Sequence, residues 1–404
     1  MPMTPFLPTA IFAAVLAATP ALASDPAAAS LHERLLTIDT HIDVPTSLGT
    51  TAADPRLHGP MQVDLPKMRE GGLDAGFFIV YVGQRSVDAA GYQQAYEKAQ
   101  AKFDAIERML ANSPDEIVLV RNPTELRAAA ADGKLVAAIG VENAYPLGPN
   151  HEHLQEFYDR GARYISLTHF GNNHFGESSK AFGEDGEPEV TGLTDRGLAL
   201  IDDMNRLGIM VDVSHTSHQS TMDAVARSKT PVIASHSGVA ALYAHNRNLS
   251  DDAIKAIAAR GGVVQLVAFD RYMRDISEEE RDAQKTILKD LGIDPRGMKD
   301  VTQEQFGELR SRNAALNAKY PKASVTTLID HVDHVVELVG VDHAGISSDF
   351  GGGGGIHGWW SIDESLILTE EMLKRGYSET DIRKIWGENL LRVWEAVEQH
   401  AHGS

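Results

Sequence analysis

A histidine and an aspartate stand two apart, His41 and Asp43, at the end of the β-branched run "TIDTHID" (37–43). Strand side chains alternate, so both would leave the same face, about 7 Å apart at their bases. The pair alone also reads as a helix N-terminus capped by Asp43. Further imidazoles and carboxylates close later β-rich runs: Glu142 in "KLVAAIGVEN" (134–143), His169 in "RYISLTHF" (163–170) and His215 in "IMVDVSH" (209–215). His236 ends "PVIASH" (231–236), and Asp349 lies in "HAGISSDF" (343–350). Burying such groups unpaired costs several kcal/mol, so their recurrence at strand ends implies a shared task. Imidazole and carboxylate without thiol suit zinc, with manganese, cobalt or iron as alternatives. One zinc with an open position needs about three protein ligands. Five candidates favour two metals: His41 and Asp43 on one, His215 and His236 on the other, Glu142 bridging. Two metals about 3.5–4 Å apart can share a hydroxide and polarise a carbonyl.

The elements that must position these groups follow from the same runs. With "AGFFIVYV" (75–82) and "GGVVQLVAF" (261–269) they number eight, each nearly continuous in apolar residues. That is the pattern of parallel strands covered on both faces. Between them lie helical segments such as "GLTDRGLALIDDMNRLG" and "LSDDAIKAIAARGG", which start near Thr, Ser or Asp and close at Gly. Eight βα units predict an α/β chain folded as a (β/α)8 TIM barrel, whose chemistry gathers at the C-terminal ends of its strands. The segment 271–323 is charged and helical, an insertion between strands seven and eight. An open doubly wound sheet is the alternative, but no Gly-x-Gly-x-x-Gly opens any helix.

Composition narrows the function classes. The 404 residues are 43% hydrophobic, enough for a large core. A formal net charge of -20 argues against nucleic acid, whose phosphates need a basic footprint. With no cysteine there is no disulfide, no thiolate metal site and no lipidated thiol. The first 23 residues hold a short apolar stretch ending in Ala21-Leu22-Ala23, which reads as a signal peptide cleaved after Ala23 although its n-region lacks Lys and Arg. No later stretch is long and apolar enough to span a bilayer, and the C-terminal "EAVEQHAHGS" lacks a GPI-type tail. The expectation is an exported protein, periplasmic or secreted, without a stable membrane anchor, with 24–404 forming a single barrel domain.

Several motifs agree in order and spacing with one family. "LTIDTHID", "VEN", "ISLTHFGNN", "VDVSHTS", "IASHSG" and "HNRN", then "DHVDHVVELVGVDHAGISSDFGGG" and "GENLLRVWEAVEQ", resemble the membrane (renal) dipeptidases over nearly all of the chain after the export segment. The resemblance implies a two-zinc barrel hydrolase that splits small dipeptides through a metal-bridging hydroxide and tolerates a D-residue at the C-terminal position. Some family members also open carbapenem-type β-lactams. His41 and Asp43 match the first-metal ligands, Glu142 the bridging carboxylate, and His215 and His236 the second-metal ligands. His169 matches a histidine beside the metals that contacts substrate. Arg247, eleven residues after His236, matches the arginine that holds the substrate carboxylate. Asp349 matches the general acid and base, and the family also suggests a homodimer. One departure stands out: "DFGGGGG" replaces the usual "DFDG", with Gly351 in place of the second acid. The five-glycine run reads as a flexible loop over the site, since no Lys-Ser/Thr follows to make a phosphate cradle.

The same roles hold chemically. A guanidinium pairs bidentately with a carboxylate, His169 can stabilise an oxyanion, and Asp349 can move a proton both ways. Other histidines read as packing, capping or tail residues: His331 and His334 in a helix, His151 and His153 at a helix start, His218, His343, His400 and His402. Asp212 reads as an orienting neighbour of a ligand, and Trp359 and Trp360 as packing residues or part of the pocket. The rival readings are a metal amidohydrolase acting on N-acyl amino acids or β-lactams, and a non-catalytic metal-loaded binding protein.

Overall fold

The structure is a computed structural model that describes residues 25–183, 187–293 and 301–403. The proposed signal segment 1–23 lies outside the described residues, as does part of the insertion. Among the described residues ten strands form one sheet: β1 (Ile38–Asp43), β2 (Ala75–Tyr81), β3 (Ile117–Leu119), β4 (Leu135–Glu142), β5 (Ala162–Ser166), β6 (Met210–Asp212), β7 (Ile233–Val239), β8 (Asn248–Leu249), β9 (Val263–Val267) and β10 (Ala344–Ser347). Eight run in parallel in the order β1-β2-β4-β5-β6-β7-β9-β10. The barrel nearly closes where Ile42 bridges Phe350 and the Asp43 amide donates to the Phe350 carbonyl at 2.8 Å. The eight expected strands are therefore those of a TIM barrel. Two short ones were not expected: β3 pairs with β4, and β8 pairs with the end of β7.

Alternation along each strand divides the core in two. Phe77, Ile79, Ala138, Tyr164, Met210, Ile233 and Val263 form an inner cluster capped by Leu390, Leu391 and Trp394 of the last helix, Asn389–Gly403. Phe78, Val80, Ile139 and Val141 belong instead to the larger cluster that includes the surrounding helices. At about 25 cal/mol per Å² of apolar surface removed from water, these two clusters are the main favourable term in folding. The helices obey their boundary signals. Asp195–Leu207 starts under the Thr194 cap and stops at Gly208 in a left-handed conformation (φ 81°).

Between β9 and β10 the chain forms the helices Glu278–Asp290 and Gln303–Lys319 before Val325–Val339 returns it to the barrel. This places the insertion between the seventh and eighth barrel strands, as the sequence predicts. It carries a small core of its own, Ile293, Val301, Phe306 and Leu309, against which Met61 and Trp360 pack. Among the described residues, no helix is long and apolar enough to cross a membrane.

Candidate active site

Asp43 and Glu142 are the last residues of β1 and β4, and His236 lies within β7. His169, His215 and Asp349 fall two or three residues beyond their strands, so those strands end earlier than the sequence reading had them. Local backbone irregularities aim the side chains. The β1–β2 register shifts between Asp39 and Ile42, around His41. The β7–β9 register shifts between Ala234 and Ser237, around His236. Bulges of this kind re-aim side chains at barrel rims. His215 (φ 70°) and Asp349 (φ 54°) adopt the left-handed conformation, which is uncommon for residues other than glycine and clusters at functional sites.

The result is a tight constellation. His41 Nε2 lies 3.5 Å from Asp43 Oδ2 and 3.6 Å from Glu142 Oε2. Glu142 Oε1 lies 3.1 Å from His215 Nε2, 3.4 Å from His236 Nε2 and 3.5 Å from His169 Nε2. The Nε2 atoms of His215 and His236 are 3.0 Å apart. Asp349 joins His41 and Asp43, with potential ligand atoms all within 4.8 Å of one another. Glu142 thus touches all four imidazoles, the position a bridging carboxylate must occupy. All these groups except His169 are nearly or fully buried.

The surroundings select the tautomers. Tyr164 Oη donates to the Thr40 carbonyl (2.9 Å), so it accepts from His41 Nδ1 (3.0 Å). Ser235 Oγ donates to Asp212 Oδ2 (2.6 Å), so it accepts from His236 Nδ1 (2.8 Å). Each hydroxyl has one proton and has spent it elsewhere. Both rings therefore carry hydrogen on Nδ1 and are left to present Nε2 to the cluster, as metal-ligating histidines do. Gly140 makes the Tyr164 arrangement sterically feasible, since a Cβ there would lie 2.2 Å from the Tyr164 ring.

Electrostatics supports the same reading. Burial pushes His215 well below its ordinary pKa, helped by Arg247 and His169. Burial likewise pushes His236 well down, helped by His41. Both are neutral imidazoles, as cation ligands must be. His41 goes the other way: burial disfavours its charge, but Glu142 and Asp43 outweigh that and raise it to about 10. A proton there acts as a counter-charge for the carboxylates, a place a metal cation would take. Among the described residues, His41 Nε2 is buried and makes no close hydrogen bond, facing the Asp43 and Glu142 carboxylates at 3.5 and 3.6 Å. An orphaned ring nitrogen facing two carboxylates, beside two neutral imidazoles, fits divalent metal of the zinc type.

Arg247 is set by β8. Gly238 pairs with Asn248, and the Asn248 amide binds the carbonyls of Tyr243 and Tyr272, both at 2.8 Å. Arg247 Nη2 donates to the His236 carbonyl at 2.8 Å, its Nε has no hydrogen-bond partner among the described residues, and its guanidinium lies 5.2 Å from the Tyr272 ring centre. The fork is thereby fixed beside the histidines with a donor to spare. Tyr272, Tyr164 and Ser235 were missed by the sequence reading. Aromatic or hydroxyl residues in such runs look like core, and no spacing marks them.

The glycine run lies over the site as expected, with its backbone amides hydrogen-bonded to the surroundings. Gly351 N–H donates to Gln62 (3.0 Å), Gly354 N–H to the Asp349 carbonyl (2.9 Å) and Gly355 N–H to the Ala268 carbonyl (2.8 Å). A Cβ on Gly352 would lie 2.2 Å from both Asp349 Oδ1 and Asp43 Oδ2. The glycines let the backbone approach the two carboxylates. Other readings hold. His331 Nδ1 accepts from the Val239 amide, His334 pairs with Asp251, and Asp212 orients His236 through Ser235. Trp359 is buried packing, while Trp360 lines the cavity at the barrel mouth.

Imidazoles and carboxylates gathered at the mouth of a parallel barrel mark the class of metal-dependent barrel hydrolases. A model of the family described as "Membrane dipeptidase (Peptidase family M19)" matches residues 26–404. The solved structure of the probable dipeptidase PvdM from Pseudomonas aeruginosa is 32% identical, with a TM-score of 0.81, over 93% of this chain and 98% of that one. Dipeptidase verJ of Clonostachys rogersoniana is 29% identical over 346 residues, 83% of this chain and 76% of that protein. A metallo peptidase from Rhodobacter sphaeroides, solved with a phosphinate mimic of the dipeptide L-Ala-D-Ala, shares the fold at 24% identity and a TM-score of 0.71, over 90% of this chain and 99% of that one. The chain belongs to the membrane dipeptidase family and is a metallo-dipeptidase.

Proposed function

We propose that the protein hydrolyses small dipeptides, including those with a D-residue at the C-terminal position, using two zinc ions held by His41, Asp43, Glu142, His215 and His236. The observation that carries this reading is Glu142 within 3.6 Å of His41, His169, His215 and His236, the arrangement that lets one carboxylate serve two cations. When bound, the metals supply Lewis acidity toward the peptide carbonyl and lower the pKa of a water nucleophile. Arg247 receives the substrate carboxylate and so sets the scissile bond against the cluster. Asp349, held beside Asp43 and His41, takes the proton from the attacking water and returns it to the leaving amine. His169, the most exposed ring of the group, donates to the developing oxyanion. The buried walls exclude bulk water and strengthen these interactions. The solved relative with a mimic of L-Ala-D-Ala supports a D-residue at the C-terminal position. Export by a signal peptide cleaved after Ala23, and assembly as a homodimer, complete the proposal.

Asp349→Asn tests the proton-transfer assignment. It keeps the shape of the site, so metal content should stay at the wild-type level while kcat falls by about 10²–10⁴-fold, the usual worth of general acid–base catalysis. Full activity in this variant removes Asp349 from the reaction.

A further inference from the structure

The barrel mouth opens into a cavity of about 470 Å³ roofed by the insertion. This falls in the range of sites for drug-sized ligands, roughly 300–1,000 Å³. Its lining is unlike the rest of the molecule. The chain carries 57 acidic against 37 basic residues. The cavity wall instead presents Lys180, Arg271, Arg310 and Lys322 against a single carboxylate, Asp270, among the described residues. That carboxylate is already committed: Arg274 grips both its oxygens at 2.8 Å, and the Ala323 amide adds a third bond at 2.7 Å. The four lining cations form no ion pair among the described residues. Lys180 lies 5.7 Å from the Phe170 ring centre, Arg271 donates to the neutral Gln284, and Lys322 donates to the Gly355 carbonyl at 3.1 Å.

The cavity shares walls with residues that touch the candidate site. Phe170, in its wall, stands edge-on to the His215 ring at 4.9 Å. Tyr272 lies under Arg247, and Gly352 abuts Asp43 and Asp349. Lys180 follows Ser179, whose amide donates to the His215 carbonyl at 2.7 Å. Arg271 directly precedes Tyr272. Two of the cations thus neighbour, in sequence, residues that touch the candidate site, and Arg310 and Lys322 lie on the same cavity wall.

Building on the dipeptidase reading, we propose that the preferred substrates carry a second anionic group besides the carboxylate held by Arg247, for which Lys180, Arg271, Arg310 and Lys322 form the receiving basin. Clefts lined by one sign of charge concentrate a ligand of the opposite sign and raise association rates by about 10–10³-fold. In a chain this acidic, a basic wall beside the candidate site selects for anionic substrates.

The test compares isosteric pairs on metal-loaded protein: L-Ala-L-Glu with L-Ala-L-Gln, and L-Glu-L-Ala with L-Gln-L-Ala, with L-Ala-L-Ala as reference. At low salt the Glu peptide should exceed its Gln partner by about tenfold or more in kcat/KM in at least one order, and the ratio should shrink as salt is added. In Lys180→Gln/Arg271→Gln, and further with Arg310→Gln, the ratio should fall to about two or below. Equal rates for both pairs, or a ratio the variants leave intact, overturns the basin. If even L-Ala-L-Ala is not hydrolysed, the dipeptidase reading fails. The same pairs measured by titration calorimetry then still decide the basin, through the ratio of their dissociation constants.

Discussion

Replacing Tyr164 by Phe isolates the oxygen atom that orients His41. The ring packs 5.3 Å from Phe77 inside the barrel and keeps that contact in the variant. Burial, with Asp212 and Glu142 nearby, keeps the phenol neutral by raising its pKa well above the ordinary value. Its oxygen holds the proton on His41 Nδ1 at 3.0 Å and satisfies the Thr40 carbonyl at 2.9 Å. Removing it leaves a buried donor and a buried acceptor unpaired, at about 1–3 kcal/mol each before relaxation. His41 can relieve part of this by moving its proton to Nε2, which then has no lone pair for a cation. Loss of an outer partner of this kind costs about 10–100-fold in metal affinity, or about 1.4–2.7 kcal/mol. Metal content measured against a graded chelator series reads the second effect, and denaturant unfolding of chelated protein reads the first. The expected result is weaker metal binding together with a metal-free stability loss of a few kcal/mol. A variant that is destabilised but binds metal at wild-type affinity would show that the hydroxyl only fills the barrel, and the tautomer argument would be wrong.

Arg247→Ala should raise KM for free dipeptides by roughly 10²-fold, about 3 kcal/mol for a charge-assisted fork, and matter little for an ester-capped substrate. Equal losses on both would remove the carboxylate clamp. Gly352→Ala forces a methyl group to within 2.2 Å of two carboxylate oxygens, Asp349 Oδ1 and Asp43 Oδ2. Displacing them by about 1 Å should cost on the order of 10²-fold in kcat/KM, whereas near-wild-type turnover would show that the loop yields freely. Burial lowers His331 from 6.5 to about 4, so the unfolded chain binds the extra proton first as pH falls. Its contribution is complete above pH 6.5 and is lost between about 6.5 and 4, amounting to about 3 kcal/mol at most. His331→Asn, which can still accept from the Val239 amide, should flatten that part of the stability–pH curve, and an unchanged slope would assign the acid sensitivity elsewhere.

Residue type and strand position made the barrel and its mouth legible in the sequence, because parallel buried strands show as apolar runs and charged groups at their ends have no packing use. What aims those groups was not legible. The register shifts around His41 and His236 depend on the neighbouring strands, which a single run does not display. Left-handed His215 and Asp349 carry no glycine to announce the turn. Tyr164 looks like any inward aromatic until Gly140 and Thr40 are placed beside it. The two-residue strand β8, which fixes Arg247, is too short to have a period. The glycine run hid its steric role for a related reason: composition does not display the close approach to Asp43 and Asp349.

The central claim is that hydrolysis of a dipeptide depends on metal held at this barrel mouth. Turnover of a panel of L-Xaa-L-Xaa and L-Xaa-D-Xaa dipeptides, on protein of known metal content, tests it most directly. Cleavage of both series should disappear on chelation and return with zinc in proportion to two ions bound per chain. Protein that holds two metals per chain and cleaves none of the panel, or that cleaves equally well after the metal is removed, would contradict it.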